Sequence, residues 1–394
     1  VSENSDIEWL RNPDGSKGMT WNPTTGCEDA SEGCHNCYAR TLAERFRGTP
    51  GHYFEHGFDV SLRPDKLDAP LRRRKPTFVF VDSMADLFHQ AVPDEYIARV
   101  FAVMAACPQH TFLLLSKRHA RMRTLLNDPE FRHQVYDLAA ELDRAGVFDP
   151  YRYAPGHLVP AHYERPAGHR ADDGDWWPLP NLWVGVSVEN QAWAQIRTPA
   201  LLETLAAKRW LSCEPLLGPV ELRNLAARGA VIDALAGEVT MRSGEVVAAA
   251  ALDWVVAGGE SGVSGGKRPV RPMHPDWVRG LRDQCVAGGV PFWFKQWGQF
   301  LPVPVLDAPE LVGGRAFDHP RGGRMAAAIR ELGPSGTLRG GVIRPMRPGD
   351  VAKGSQMLDE HWIAVRVGKR AAGHIVDGRT WEQRPHPAHY ELLA

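Results

Sequence analysis

Short apolar runs rich in β-branched and aromatic residues recur from the N-terminus to about residue 300, and stretches with apolar residues at helical spacing lie between them. The runs are Phe78–Val81, Phe112–Leu115, Leu182–Val186, Arg209–Ser212, Trp254–Ala257 and Phe292–Phe294. A first strand leading into Cys27 brings the expected number to about seven. Helices are predicted over Ala39–Arg47, Asp94–Ala106, His119–Leu126, Ala192–Ala207 and His274–Ala287. Strand followed by helix, repeated, is the pattern of βα units and a parallel sheet.

Each run ends in polar or charged residues: Asp82-Ser83, Ser116-Lys117-Arg118, Ser187-Val188-Glu189-Asn190, Cys213-Glu214-Pro215, Gly258-Gly259-Glu260-Ser261 and Lys295-Gln296. Strands must emerge from a core into something polar, so any single one of these residues is ordinary. The series points to a common pocket, because parallel α/β folds place their chemistry at strand C-termini.

Two segments interrupt the alternation and read as insertions. Residues 127–180 carry Tyr151-Arg152-Tyr153, several histidines, Gly174 and Trp176-Trp177-Pro178, and residues 219–250 are rich in Ala, Val and Glu. Beyond Phe300 the composition shifts toward Gly, Pro and Arg, through Gly313-Gly314-Arg315 and Arg321–Arg324. The expected organisation is a main unit over residues 1–300 and a small C-terminal extension or cap over 301–394. No internal repeat is found.

A chain of 394 residues with 43% hydrophobic and 24% charged residues can bury a full core. No apolar stretch reaches the length of a membrane span, and Val1-Ser2-Glu3-Asn4-Ser5-Asp6 has none of the features of a signal peptide, so a cytoplasmic location is expected. A net charge of -1 excludes a global polyanion-binding field and confines any nucleic-acid surface to a patch. Arg72-Arg73-Arg74-Lys75 and the C-terminal Arg366, Lys369, Arg370 and Arg379 are the candidates, with Trp176, Trp177 and Trp297 able to stack on bases. Solvated basic faces and packed tryptophans are the plainer explanation of the same residues.

Three of the six cysteines are clustered as Cys27, six residues, Cys34, two residues, Cys37; Cys107, Cys213 and Cys285 sit alone. Six cysteines are too few for a disulfide scaffold in a chain this long, so the clustered three are read as metal ligands. Three thiolates leave a tetrahedral or cubane centre one ligand short. A four-iron cluster with one open iron and a zinc knuckle completed by His35, His52 or a remote Cys both fit this spacing.

The segments Asn22-Pro23-Thr24-Thr25-Gly26-Cys27 and Cys34-His35-Asn36-Cys37-Tyr38-Ala39-Arg40 resemble the cluster loop of radical S-adenosylmethionine enzymes, particularly the group around spore photoproduct lyase. Together with Gly185–Gln191, Cys213–Pro219, Gly258–Ser261 and Phe294–Gly298, they resemble more closely the phage Gp37/Gp68 family. The resemblance covers residues 7 to about 300, with an echo in Val367–Gly373 and Asp377–Arg379. The six-residue spacing departs from the usual radical-enzyme motif, which has three residues between its first two cysteines.

The resemblance implies a partial (β/α) barrel of about six or seven parallel strands, with insertions and a small C-terminal extension. It implies a 4Fe-4S cluster on Cys27, Cys34 and Cys37, bound S-adenosyl-L-methionine, a 5'-deoxyadenosyl radical and an external electron donor. The implied substrate is a nucleobase in DNA or RNA, undergoing repair or modification. Glu189, Asn190 and Glu214 would face the cofactor ribose, Gly258, Gly259 and Glu260 its methionine end, and Ser187 would belong to the same cofactor site. Lys117 would pair with the methionine carboxylate, and Asp82 and Ser83 would face ribose or substrate. An ion pair such as Lys117 with Glu214 would use the same residues for structure alone. Cys213 is the candidate hydrogen-atom donor, or else a small buried core residue. The alternative function is a non-enzymatic iron-sulfur or zinc protein that binds nucleic acid or a partner protein.

Overall fold

The computed structural model describes residues 4–145, 177–227, 229–262, 269–304, 355–359 and 361–385. Tyr151-Arg152-Tyr153, Gly174, Trp176 and the glycine-arginine segments at 313–315 and 321–324 lie outside them. Seven strands form one sheet: β1 (Met19–Trp21), β2 (Phe78–Val81), β3 (Thr111–Ser116), β4 (Leu182–Ser187), β5 (Lys208–Cys213), β6 (Trp254–Gly258) and β7 (Phe292–Gln296). Each strand lies beside the next in sequence and every pair is parallel. The sheet curls into an open half barrel, the partial (β/α) barrel expected from the sequence.

A short helix α1 (Tyr38–Glu44) follows the cysteines, and longer helices α2 (Asp94–Ala105), α3 (His119–Asn127), α4 (Pro129–Arg144), α5 (Gln191–Leu202) and α6 (Pro275–Gly288) accompany the strands. The insertion after residue 127 begins with α4, which packs on α2. The segment 219–250 folds into a four-stranded antiparallel sheet. Among the described residues no helix is long and apolar enough to cross a membrane.

Strand side chains alternate between two faces, and here the two faces bury different cores. Val79, Phe112, Val184, Leu211, Val255 and Phe292 join the core shared with the helices. Phe80, Leu113, Trp183, Trp210, Trp254 and Trp293 face the other way into the bore, where Trp9 and Leu10 of the N-terminal segment join them. Trp9 packs edge-on against Phe80, with ring centroids 5.0 Å apart, and lies 5.4 Å from Trp210. A Cβ added at Gly185 would stand 2.5 Å from the Trp210 indole, so that glycine is what admits the tryptophan. The lower bore is a packed aromatic floor, and the polar strand ends stand above it.

The C-terminal extension is docked on β7. Phe300–Pro304, Trp362–Arg366 and Ser355–Met357 form a three-stranded antiparallel sheet. The chain then returns along the open edge of β7, where Phe294 N–H donates to the Trp381 carbonyl and Gln383 N–H to that of Phe292. These bonds cover an edge that would otherwise present unpaired backbone groups.

At the end of β2, Asp82 adopts a left-handed φ of 55°, a conformation that Asp and Asn tolerate better than most residues. Its carboxyl accepts the Thr24 N–H at 3.1 Å and the Thr24 hydroxyl at 2.8 Å, tying the end of β2 to the segment after β1. Burial pushes its pKa up to about 8. A group whose folded pKa is raised holds a proton that the unfolded chain releases, so its stabilisation is full at acid pH and is lost as pH rises through about 8. Asp82→Asn keeps the shape and tolerates the φ. The wild-type Tm should therefore fall relative to the Asp82→Asn Tm between pH 5 and 9 in a thermal denaturation series, and parallel curves would contradict the assignment.

Candidate functional site at the mouth of the half barrel

Three glutamates emerge at the ends of β4, β5 and β6, and each is met by a cation. Glu189 is fully buried; it accepts from Lys117 at the end of β3, from Arg197 on α5 at 2.9 Å and from the Ser31 hydroxyl at 2.6 Å. Glu214 continues the bore-facing alternation of Trp210 and Ser212; it lies 3.1 Å from Lys295 Nζ and takes a long bond from the Trp9 indole at 3.4 Å. Glu260 accepts from the Asn36 amide at 2.8 Å, from the Arg271 N–H at 2.8 Å and from the Arg271 guanidinium. Burial alone would raise the pKa of Glu189, but the charges of Lys117 and Arg197 outweigh it and hold the carboxyl below its usual range. Burial lowers the pKa of Lys295 less than Glu214 and Glu8 raise it, so it stays protonated. Burial also lowers the pKa of Arg197, yet a guanidinium starts so high that it remains charged.

The segment between Cys27 and Cys37 lies across this ring as a cover. Ser31 and Asn36 reach down to Glu189 and Glu260. The Glu32 carboxylate accepts from Asn190 and, at 2.8 Å, from the Trp193 indole; its carbonyl accepts from Arg271 at 3.0 Å. The short helical turn at Glu32–Cys34 buries none of its residues, so hydrogen bonds hold the cover in place. Gly33 allows the close approach, because a Cβ there would stand 2.4 Å from Glu189 Oε1.

The other residues singled out in the sequence fall in different places. Asp82 is committed to Thr24. The Ser83 hydroxyl donates to Asn22 at 3.1 Å and its carbonyl accepts from Tyr38 at 2.6 Å. Ser187 is buried and offers its carbonyl to Arg197 at 2.9 Å. Asn190 caps α5 by accepting the Trp193 N–H at 3.2 Å. A Cβ at Gly258 would meet the Glu214 carboxylate at 2.6 Å, and one at Gly259 the Trp297 carbonyl at 2.1 Å, so both glycines permit close backbone approach. Cys213 is one residue out of step with Ser212 and Glu214 and is buried in the helix-side core with Cys285, where burial pushes its thiol well up.

Ser31, Asn36, Arg197, Arg271 and Lys295 complete the ring and were not singled out as site residues from the sequence. A signal for Arg197 exists: it shares with Ala194, Thr198 and Leu201 the buried face of α5, where an arginine has no place unless an acid awaits it. Lys117 pairs with Glu189, and it is Lys295, not Lys117, that stands beside Glu214.

The metal centre expected on Cys27, Cys34 and Cys37 is corrected by the structure. Among the described residues no three or more His, Cys, Asp or Glu side chains are grouped to hold a metal ion. The Cys27 thiol donates to the Glu28 carbonyl at 3.2 Å and burial pushes its pKa up to about 12. The Cys34 sulfur accepts the Ala30 N–H at 3.5 Å. Cys37 stands just before α1 and packs against Ala39, Ala43, Phe54 and Phe58, and burial raises its thiol. The 4Fe-4S cluster, the S-adenosyl-L-methionine bound to it and the radical enzyme activity lose their basis, and so does the iron-sulfur or zinc alternative.

The family model that matches spans residues 4–385 and is described as protein of unknown function (DUF5131). The chain belongs to the DUF5131 family. That assignment stands in place of the radical S-adenosylmethionine and phage Gp37/Gp68 resemblance, whose three-cysteine motif gathers no metal site among the described residues. No curated protein and no solved structure matches the chain.

Two predictions follow from the clamped mouth. Gly33→Ala should loosen the cover and speed proteolysis between residues 28 and 37. Gly280→Ala, at an open position on α6 with nothing within 4 Å, should leave cleavage unchanged and stabilise by about 0.5–1 kcal/mol. Equal cleavage of the two variants would count against the clamp. Glu189→Gln leaves buried cations short of a charge and should cost about 3–5 kcal/mol in urea denaturation at neutral pH. Because the folded pKa of Glu189 is depressed, its contribution is present at neutral pH and lost as pH falls below the usual carboxylate range. The gap between wild type and Glu189→Gln should therefore close in acid.

Proposed function

We propose that this DUF5131 protein is a cytoplasmic nucleic-acid-binding protein that receives a nucleotide at the mouth of the half barrel. The observation that carries the reading is the ring of strand-end carboxylates and cations beneath a cover held by hydrogen bonds. A nucleotide presents anionic phosphate together with hydroxyl and base-edge hydrogen-bonding groups, so its site needs cationic donors and carboxylate acceptors side by side. Lys117, Lys295 and Arg271 supply the first; Glu189, Glu214 and Glu260 supply the second. Admission of the ligand requires the cover to exchange its bonds to the ring for bonds to the ligand.

The two basic clusters contribute unequally to this reading. Arg72–Lys75 precede β2 and therefore lie toward the strand N-termini, away from the mouth; Arg72 is paired with Asp68 and Lys75 with Asp14. Arg366, Lys369 and Arg370 are exposed on the segment hydrogen-bonded to Gln299, just beyond the C-terminal end of β7. Lys369 pairs with Glu8 and Arg366 with Gln299, both at the surface, where a phosphate competes readily for such groups. Trp297 is buried and donates to the Ile375 carbonyl, and Trp177 donates to that of Leu126, so both are packing residues. An apolar cavity lined by Phe101, Leu126, Trp177 and Val184 has a volume of about 10 Å³, room for no more than a water, and it lies in the helix layer.

Titration with single-stranded and duplex DNA and RNA at several salt concentrations tests the proposal. Binding should weaken as salt rises, and the Arg366→Ala/Arg370→Ala double variant should reduce the salt slope by about one to two. Weak binding that neither salt nor these substitutions alter would overturn it.

A further inference from the structure

We infer that the mouth contains a phosphate subsite at the N-terminus of α3, built from Arg118, the first turn of that helix and His89. The inference rests on the reading of the mouth as a nucleotide site and names where the phosphate sits.

Arg118 occupies the position before α3 and its side chain provides no cap for the first-turn N–H groups. Its guanidinium lies against the Cys27 sulfur, while Nε and Nη2 are buried without a hydrogen-bond partner. His89 meets the same stretch of chain one residue on, its Nε2 lying 3.5 Å from the carboxylate of Glu28, next to the Cys27 that Arg118 touches. Only 2% of it is exposed, and its Nδ1 accepts the Ala91 N–H at 3.1 Å. That bond places the ring hydrogen on Nε2, and Nε2 is likewise buried without a hydrogen-bond partner. Unsatisfied buried donors on an arginine and a histidine are costly, and an anion between them removes the cost.

The elements that carry these donors are laced together. Asp86 accepts the Ser116 hydroxyl at 2.7 Å, the Lys117 N–H at 2.9 Å and the Phe88 N–H at 3.1 Å, so its oxygens are already engaged. Arg121, in the first turn of α3, donates to the carbonyls of His89 and Val92 and pairs with Asp94. The segment 86–92 is thereby fixed against the start of the helix. Gly26 N–H donates to the Met84 carbonyl at 3.0 Å, which ties the segment that carries Cys27 and Glu28 to the end of β2. The nearest acid to His89 Nε2 is Glu28, 3.5 Å away on a side chain 66% exposed. That carboxylate marks where an anionic oxygen is favoured, and it is free to swing into solvent when a phosphate arrives. The dianionic charge and three acceptor oxygens of phosphate match two side-chain donors and a helix N-terminus.

Calorimetric titration of the full chain with inorganic phosphate tests the subsite, with thermal denaturation to confirm that each variant folds. Arg118→Met should weaken phosphate binding roughly ten-fold. His89→Asn keeps an acceptor near Ala91 N–H, removes the Nε2–H and should weaken binding several-fold. Glu28→Ala removes the competing carboxylate from an exposed position and should tighten it. Wild-type protein that binds no phosphate at millimolar concentration, or binding that Arg118→Met and Glu28→Ala leave unchanged, would overturn the subsite. Salt-dependent oligonucleotide binding alongside such a result would sink the subsite alone. Phosphate binding that responds to both variants in a chain with no affinity for oligonucleotides would support the subsite and remove the nucleic-acid reading.

Discussion

The carboxylate of Glu189 is the tie on which the upper half of the molecule depends. It stands at the centre of the mouth with no exposure to water, and its partners come from three separate pieces of chain: Lys117 after β3, Arg197 on α5 and Ser31 in the cover. Burying an unpaired carboxylate is prohibitively costly, so the arrangement exists only with both cations in place, while the Ser31 hydroxyl adds a bond that water or a polar ligand can replace. Arg197 is held in turn by its own surroundings. It is fully buried, stacks 3.8 Å from the Trp193 ring centroid, and donates to the Ser187 carbonyl. A buried ion pair of this kind adds little net stability over apolar residues of the same shape, but its members cannot be exchanged one at a time. It therefore fixes where the cover sits relative to the strands, and specification of geometry is its contribution.

The bore shows how the fold divides its labour. Below, Trp254 meets Trp9, Trp183 and Trp293 edge to face at centroid distances of 6.0, 6.0 and 6.5 Å, and Trp210 packs tilted against Trp9 and Trp254, contacts favoured by the ring quadrupoles and by the large area each ring buries. Above, the same strands present Ser212, Glu214, Gly258 and Lys295. The change occurs within one or two residues along each strand because alternation allows only every second residue to face the bore. A rigid apolar floor keeps the strand ends in register, which lets the polar ring hold a fixed geometry at its mouth.

The sheet was legible from the sequence because its strands are buried on both faces and read as unbroken apolar runs such as Phe78–Val81 and Phe112–Leu115. The strand ends were legible as a polar series for the same reason, since a core must stop somewhere. The pairing among them was not. Glu189 and Arg197 are eight residues apart, but Glu189 and Ser31 are separated by 158, and nothing in a linear sequence states which acid meets which base across such a gap. Asp82 and Cys213 mislead in the opposite way. Both stand at strand ends, yet Asp82 turns into a left-handed conformation to hold Thr24, and Cys213 lies on the helix side by the parity of its strand. The cysteine spacing was the loudest signal, and its metal reading fails because spacing along a loop does not by itself assemble a ligand set: among the described residues no three or more His, Cys, Asp or Glu side chains are grouped to hold a metal ion. Cys27, Cys34 and Cys37 are taken up by a neighbouring carbonyl, a backbone N–H and an apolar cluster.

The contrast between floor and cover bears on how such a mouth can work. The floor is held by dispersion and burial, terms that are lost only when the bore itself opens. The cover is held by directional hydrogen bonds to charged groups, and each of these can be replaced, one for one, by a bond to water or to a polar ligand. Local opening free energies in proteins range from near zero to the full unfolding free energy, and segments with few buried apolar contacts lie at the low end. The segment 28–36 has that character, while its flanks do not: Gly26 pairs with Ala85, and Ala39 and Ala43 are buried against Phe54 and Phe58. A cover anchored firmly at both ends and loosely along its length can lift from the ring without disturbing the barrel. The anchors also return it to the same place, so the ring of charges is rebuilt each time the mouth closes.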